Sequence, residues 1–183
     1  MLFRSVYINY EFTFTALAPL AALKFQGPAA VTEFFPLNDL IMGQQVGAIG
    51  STFGLGLILG GIFLILRGYI RWEIPVSFIA GIIVTAFCFN LANPDTYAGP
   101  VIHLFSGYTL MGAFFLATEN SSSPSNRIPM FLYGFFAAVM IILMRNIGVY
   151  EDGTVLAILL LNVVNPLIDN IRPKALGKGV TNA

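Results

Sequence analysis

IPVSFIAGIIVTAFCFNLANP, residues Ile74 to Pro94, runs without a charged side chain and is apolar on nearly every face of a helix. A helix rises about 1.5 Å per residue, so a stretch of this length reaches the roughly 30 Å needed to cross hydrocarbon. Four further stretches read alike: Leu40 to Leu66, Thr96 to Thr118 with one histidine, Ile128 to Met144 and Gly153 to Ile168. Across the chain 57% of residues are hydrophobic, 10% are charged and the mean hydropathy is +0.81. Soluble domains carry about 25% charged residues. The composition therefore predicts an all-α integral membrane protein and leaves no room for a separate soluble catalytic module.

The boundaries predict one domain. Helices are expected from Gly47 to Arg67, Pro75 to Leu91, Pro100 to Thr118, Pro129 to Arg145 and Gly153 to Asp169. Pro75, Pro100 and Pro129 sit just inside three of these starts, where a missing N–H costs nothing. Residues 1–45 read as an extracytoplasmic interfacial or re-entrant segment, because the apolar piece Phe12 to Leu23 is too short to span and holds Pro19. Residues 46–170 form the transmembrane domain of about five helices, and residues 171–183 a cytoplasmic tail. The glycines at 50, 54, 56 and 60 make a doubled small-xxx-small pattern that lets another helix approach closely.

Nine cations balance nine acids with no basic tract, so nucleic-acid binding is not expected. Placing Arg67, Arg71, Arg127 and the tail in the cytoplasm puts six of the nine inside and leaves Arg4, Lys24 and Arg145 outside. The amino-terminal segment then faces outward. Its start lacks the features of a signal peptide and is read as mature protein or as the edge of a fragment. Cys88 alone cannot make an internal disulfide or hold an iron–sulfur cluster.

Three stretches carry a resemblance. SGYTLMGAFFLATENSSSP (Ser106 to Pro124) is similar to the segment GGxMLGAFFxATDPVTSP of the D subunit of Rnf complexes and the B subunit of sodium-pumping NADH:quinone oxidoreductase. RNIGVYEDGTVLAILLL (Arg145 to Leu161) with NVVNPLID (Asn162 to Asp169) resembles that family's RxxGGYPDGVAFAVLLMN...PLID. PLNDLIMG (Pro36 to Gly43) with GAIGST (Gly47 to Thr52) resembles LxDLFLGxxxGSIGET. The match covers about residues 16–172. It implies the second half of a roughly ten-helix subunit of a redox-driven sodium or proton pump in a bacterial or archaeal cytoplasmic membrane. The implied partners are other membrane subunits, the bilayer, and a second half-domain or second copy.

The resemblance also implies a flavin, FMN or riboflavin. The family's Ser-Gly-Ala-Thr-Pro-Leu motif carries FMN on its threonine, and the matching stretch here, TALAPL, puts Ala18 at that position. Alanine has no oxygen to esterify, so Thr15 and Thr13 are the candidate hydroxyls. Gly47, Gly50 and Thr52 from the second motif, with Glu119, Asn120, Ser123 and Pro124 from the third, complete the expected cofactor-binding set. A hydroxyl-rich turn after a glycine-rich helix also offers donors and backbone amides to an anion or a ring. Polar residues at depth supply a candidate ion pathway: His103, the helix-capping acid Asp152, and Asn162 and Asn165 beside Pro166, where a freed carbonyl can coordinate a cation. Two alternatives stand beside the flavin-holding reading: a flavin-free paralogue serving assembly of a larger membrane complex, and a small-solute channel.

Overall fold

The computed structural model describes residues 18–47, 50–119 and 121–169, and these contain helices and no strand. Three short helices come first: α1 (Pro19–Gln26), α2 (Pro28–Phe34) and α3 (Leu37–Met42). Then follow α4 (Gly54–Leu66), α5 (Glu73–Ala92), α6 (Pro100–Phe105), α7 (Thr109–Met111) running into a π-helical turn at Gly112–Leu116, α8 (Arg127–Asn146) and α9 (Thr154–Asp169). Of the described helices α5 and α8, 20 residues each, are long and apolar enough to cross a membrane, while α4 and α9 are shorter apolar helices.

Helices α5 and α8 form the most extensive interface and run parallel, since Ile74 lies against Gly134 and Gly81 against Ala138. A connection that returns through α6, α7 and the π-helical turn makes this possible. Helix α9 runs antiparallel to α8: its start bonds Arg145, and Asp169 near its end accepts from the Ser125 backbone N–H at 3.2 Å. The bundle thus has two ends. One gathers residues 67–72, 121–127 and 169, and the other gathers α1–α3, residues 43–47 and 50–52, residues 93–108 and residues 145–154. Between them Phe78, Ile82, Tyr133, Ile141 and Ile158 are buried. Phe63, Phe87, Phe136, Leu160 and Val163 point outward. A bundle apolar inside and out is what lipid selects.

Two helix expectations change. The first strong helix starts at Gly54, because the preceding residues make a turn in which Gly43 and Gly50 both take φ +82. The packing glycines of α4 are Gly54, against Phe105, and Gly61, against Phe114. Gly56 meets only Phe53 from its own segment. The third helix is broken: Ser106 is extended (φ −100, ψ 145) and Gly107 takes φ +66, so α6 stops and the chain restarts at Thr109. Helix α9 runs through Pro166 to Asp169 as the boundaries predict, without the broken helix that the cation reading at Pro166 needs. Asn90 donates to the Tyr97 carbonyl in the following loop at 2.8 Å.

Candidate functional site

The break in the third helix frees backbone carbonyls in the interior, where each needs a donor. Arg145, in the last turn of α8, supplies them. Its Nη1 donates to the His103 carbonyl at 2.8 Å. Its Nη2 lies 3.3 Å from the Ser106 carbonyl, 2.8 Å from Thr109 Oγ1, 2.9 Å from Asp152 Oδ1 and 3.2 Å from Thr154 Oγ1. The Arg145 side chain is 1% exposed. The charge pattern makes it an outer-loop cation, and it is instead the centre of a buried polar cluster. A residue with charge-assisted bonds to two carbonyls, two hydroxyls and a carboxylate fastens three separate segments together.

Asp152 is the anionic half. Its Oδ2 accepts from the Tyr108 backbone N–H at 2.7 Å, and its Oδ1 accepts from the Thr154 backbone N–H at 3.1 Å and the Thr154 hydroxyl at 2.6 Å. It therefore ties the first turn of α9 to the restart after the helix break. Burial works against its ionised form, but Arg145 beside it, with the bonds from Thr154 and Tyr108, holds its pKa below the ordinary carboxylate value. Gly107 is packed onto this carboxylate. A Cβ there would meet Asp152 Oδ2, and Leu20 Cδ1 at 2.6 Å. Gly107→Ala is expected to destabilise by about 2–5 kcal/mol, from left-handed strain and overpacking together, read as a lowered thermal midpoint in detergent.

A cavity of about 160 Å³ opens beside this cluster, lined by Ala18, Gln45, Gly47, Thr52, Tyr108 and Asp152 among others. Three separate sequence motifs meet there: the Ala18 stretch, the 47–52 turn and the acid of the 151–153 turn. Gln45 holds the turn in place, its Nε2 donating to the carbonyls of Leu40 at 3.4 Å, Thr52 at 3.3 Å and Phe105 at 3.1 Å. Gln45 Oε1 is buried and has no partner among the described residues. Gly50 is exposed at the rim of the same turn.

The other candidates lie elsewhere. Ser123 and Pro124 line a cavity of about 140 Å³ with Arg71, Thr118 and Met130 at the opposite end of the bundle. Glu119 is exposed, and its Oε1 accepts from Ser121 at 2.8 Å. Asn162 accepts from the Tyr133 hydroxyl, and Asn165 donates to the Ser122 carbonyl at 2.6 Å, so both tie α9 to its neighbours. His103 is fully buried, and neither ring nitrogen has a partner among the described residues. Thr13, Thr15 and Asn120 fall outside the described residues. Among the described residues no group of three or more His, Cys, Asp or Glu side chains is placed to hold a metal ion.

Sequence reasoning overlooks Arg145 and Gln45 as site residues. For Arg145 a signal is present: a cation closing an apolar stretch with an acid seven residues on, the pairing expected of ionisable groups at membrane depth. For Gln45 there is none, since an amide in a loop is ordinary.

A family model described as "NQR2, RnfD, RnfE family" matches residues 5–177. Among curated proteins, the D subunit of the ion-translocating oxidoreductase complex of Pectobacterium atrosepticum is 37% identical over 161 residues, covering 87% of this chain and 46% of the relative. The protein of the same name from Vibrio cholerae is 38% identical over 155 residues, covering 85% of this chain and 44% of the relative. That from Halorhodospira halophila is 37% identical over 150 residues, covering 81% and 42%. The chain thus spans somewhat under half the length of the curated relatives it matches.

Proposed function

The chain belongs to the NQR2, RnfD, RnfE family, and on that premise we propose that it is a membrane subunit of a redox-driven, ion-translocating complex that holds a flavin. In this reading α4, α5, the broken third helix, α8 and α9 each cross the bilayer. The Arg71 and Ser123 end faces the cytoplasm, and α1–α3 cover the outer end at the interface. The basic residues support that orientation, since removing buried Arg145 from the outside count leaves only Arg4 and Lys24 there.

The flavin is assigned to the cavity at Ala18, Gln45, Gly47 and Thr52, and the observation that carries it is the orphaned, buried Oε1 of Gln45, a residue that lines this cavity. A buried acceptor without a donor costs about 1–3 kcal/mol. A ring N–H of an isoalloxazine is a suitable donor. The fit extends to one ring edge, since about 160 Å³ is well below the roughly 300–1,000 Å³ of usual small-molecule sites. It does not extend to a phosphate: Glu151 and Asp152 line the cavity and, among the described residues, no cation does. Uncharged riboflavin therefore suits this end better than FMN, and Ala18 offers no hydroxyl for an ester. Bound there, a flavin would supply electron transfer, while the chain supplies position and electrostatics.

The test is the visible spectrum of the purified chain beside its intact mass. Flavin absorbance at unmodified mass, lost on Gln45→Leu, is the expected result. A heavier, fluorescent denatured chain would replace riboflavin by ester-linked FMN on a threonine such as Thr13 or Thr15. A colourless chain that still copurifies with redox subunits would favour the structural, flavin-free role that Ala18 also supports.

A further inference from the structure

The oxygen set around the Arg145 guanidinium is that of a small-cation site. Two carbonyls come from the broken end of α6, that of His103 in its last turn and that of Ser106 just beyond it, two hydroxyls come from Thr109 and Thr154, and one carboxylate oxygen comes from Asp152, at 2.8–3.3 Å from the terminal nitrogens. Unwound carbonyls joined by hydroxyls and an acid are how membrane proteins coordinate alkali cations. Here the positive charge is tethered to the chain.

Two further features make the tether displaceable. Arg145 Nε is buried without a partner, so the guanidinium is not fastened at its stem. A second cavity of about 150 Å³, lined by Arg145, Asn146, Thr96, Tyr97, Lys24 and Glu151, adjoins the side chain. Glu151 lines both this cavity and the one that exposes Asp152. It makes no ion pair among the described residues, whereas Lys24, the other cation present, is already held by the carbonyls of Gly148 at 2.5 Å and Tyr150 at 2.9 Å. Asn146 Nδ2 is a further buried donor without a partner.

We propose that this cage is an alkali-cation binding site kept closed by its own arginine, and that Na⁺ entering past Glu151 and Asp152 takes over the five oxygens while the guanidinium swings into the adjoining cavity to pair with Glu151. The exchange balances charge, because Na⁺ then neutralises Asp152 and Arg145 neutralises Glu151. It deepens the ion-translocating part of the proposed function and rests on it only for its biological purpose. The binding event itself needs no flavin and no partner protein.

The experiment titrates the purified chain with NaCl against choline chloride at constant ionic strength, reading the ²³Na line width and the thermal midpoint. Wild type is expected to bind Na⁺ and to gain stability from it, with no gain from choline. Arg145→Lys keeps the charge, makes fewer bonds to the cage and competes less well, so its Kd for Na⁺ should be roughly tenfold lower. Glu151→Gln, which removes the partner for the displaced guanidinium, should weaken Na⁺ binding by a similar factor. Equal responses to Na⁺ and choline in wild type would overturn the proposal even if a variant fails to fold. So would Arg145→Lys and wild type binding Na⁺ identically. Either failure leaves the flavin spectrum untouched, so it removes this site without removing the redox reading.

Discussion

Asp152→Ala is expected to destabilise the chain by about 3–5 kcal/mol, a large part of the roughly 5–15 kcal/mol of a domain of ordinary stability, read as a strongly lowered thermal midpoint. The loss is large because the substitution strands a cation rather than removing a contact. Arg145 would keep a buried charge with no counter-ion, and the N–H groups of Tyr108 and Thr154 would lose the carboxylate that accepts them. Removing both charges by Arg145→Met with Asp152→Leu should recover part of the loss, since buried pairs replaced together by apolar groups are often neutral. Full recovery is not expected, because the His103 and Ser106 carbonyls would still lack Arg145. The pair should also mark the pH profile. A folded-state pKa held below the ordinary value means the contribution is complete above the unfolded value of about 3.9. It is lost as pH falls through the lower folded value. The difference in thermal midpoint between wild type and Asp152→Asn should stay level from neutral pH down to about pH 5 and shrink below about pH 4. A difference that grows on acidification would contradict the assignment.

What the sequence discloses and what it hides divide along a physical line. Helices α5 and α8 are legible to within two residues at each end, because lipid demands long uncharged runs and these have no competing signal. Asp152 is legible as a helix-capping acid from its place before an apolar run. The break at Ser106 and Gly107 is not. An apolar stretch in which Gly107 and Gly112 stand singly reads as a helix with tolerated glycines, and what sustains the break at Gly107 is Arg145, which is remote in sequence and satisfies the carbonyls the break exposes. Pro166 misleads in the opposite direction. It removes one bond from α9, yet the helix continues because Asn162 and Asn165 on either side of that turn are fastened to Tyr133 and Ser122. The expected cofactor residues also separate. Gly47 and Thr52 sit at one end of the bundle and Ser123 and Pro124 at the other, about 30 Å apart by the length of a 20-residue helix. A linear motif list does not show that split, but the orientation read from the basic residues does, since it puts the start of the first helix outside and the Arg127 loop in the cytoplasm.

The same contrast between pattern and packing predicts the second large effect. Gly134→Val should prevent α5 and α8 from packing, whereas Gly60→Ala should be neutral or slightly stabilising. By spacing alone Gly60 belongs to a run of four glycines in the small-xxx-small pattern, whereas Gly134 makes only a single such pair, with Ala138. In the fold a Cβ at Gly60 meets only Phe115 Cζ at 3.8 Å, ordinary contact, and replacing a helix glycine by alanine there gains about 0.5–1 kcal/mol. A Cβ at Gly134 would run into Ser77 Oγ, the Ile74 carbonyl at 2.8 Å and the Phe78 backbone nitrogen at 3.1 Å. Two of these three atoms are main chain and cannot rotate away. The helices would have to separate along an interface that buries Phe78, Tyr133, Ala137 and Ile141, at a cost of several kcal/mol. The smaller Gly134→Ala should cost about 1–3 kcal/mol. Ser77→Ala removes the hydroxyl in the way and should return part of that cost, so the two substitutions should couple by about 0.5–3 kcal/mol in a double-mutant cycle. Thermal midpoints of the four proteins in one detergent decide it. Independent, additive effects would mean that the close parallel approach of α5 and α8 is not what Gly134 permits.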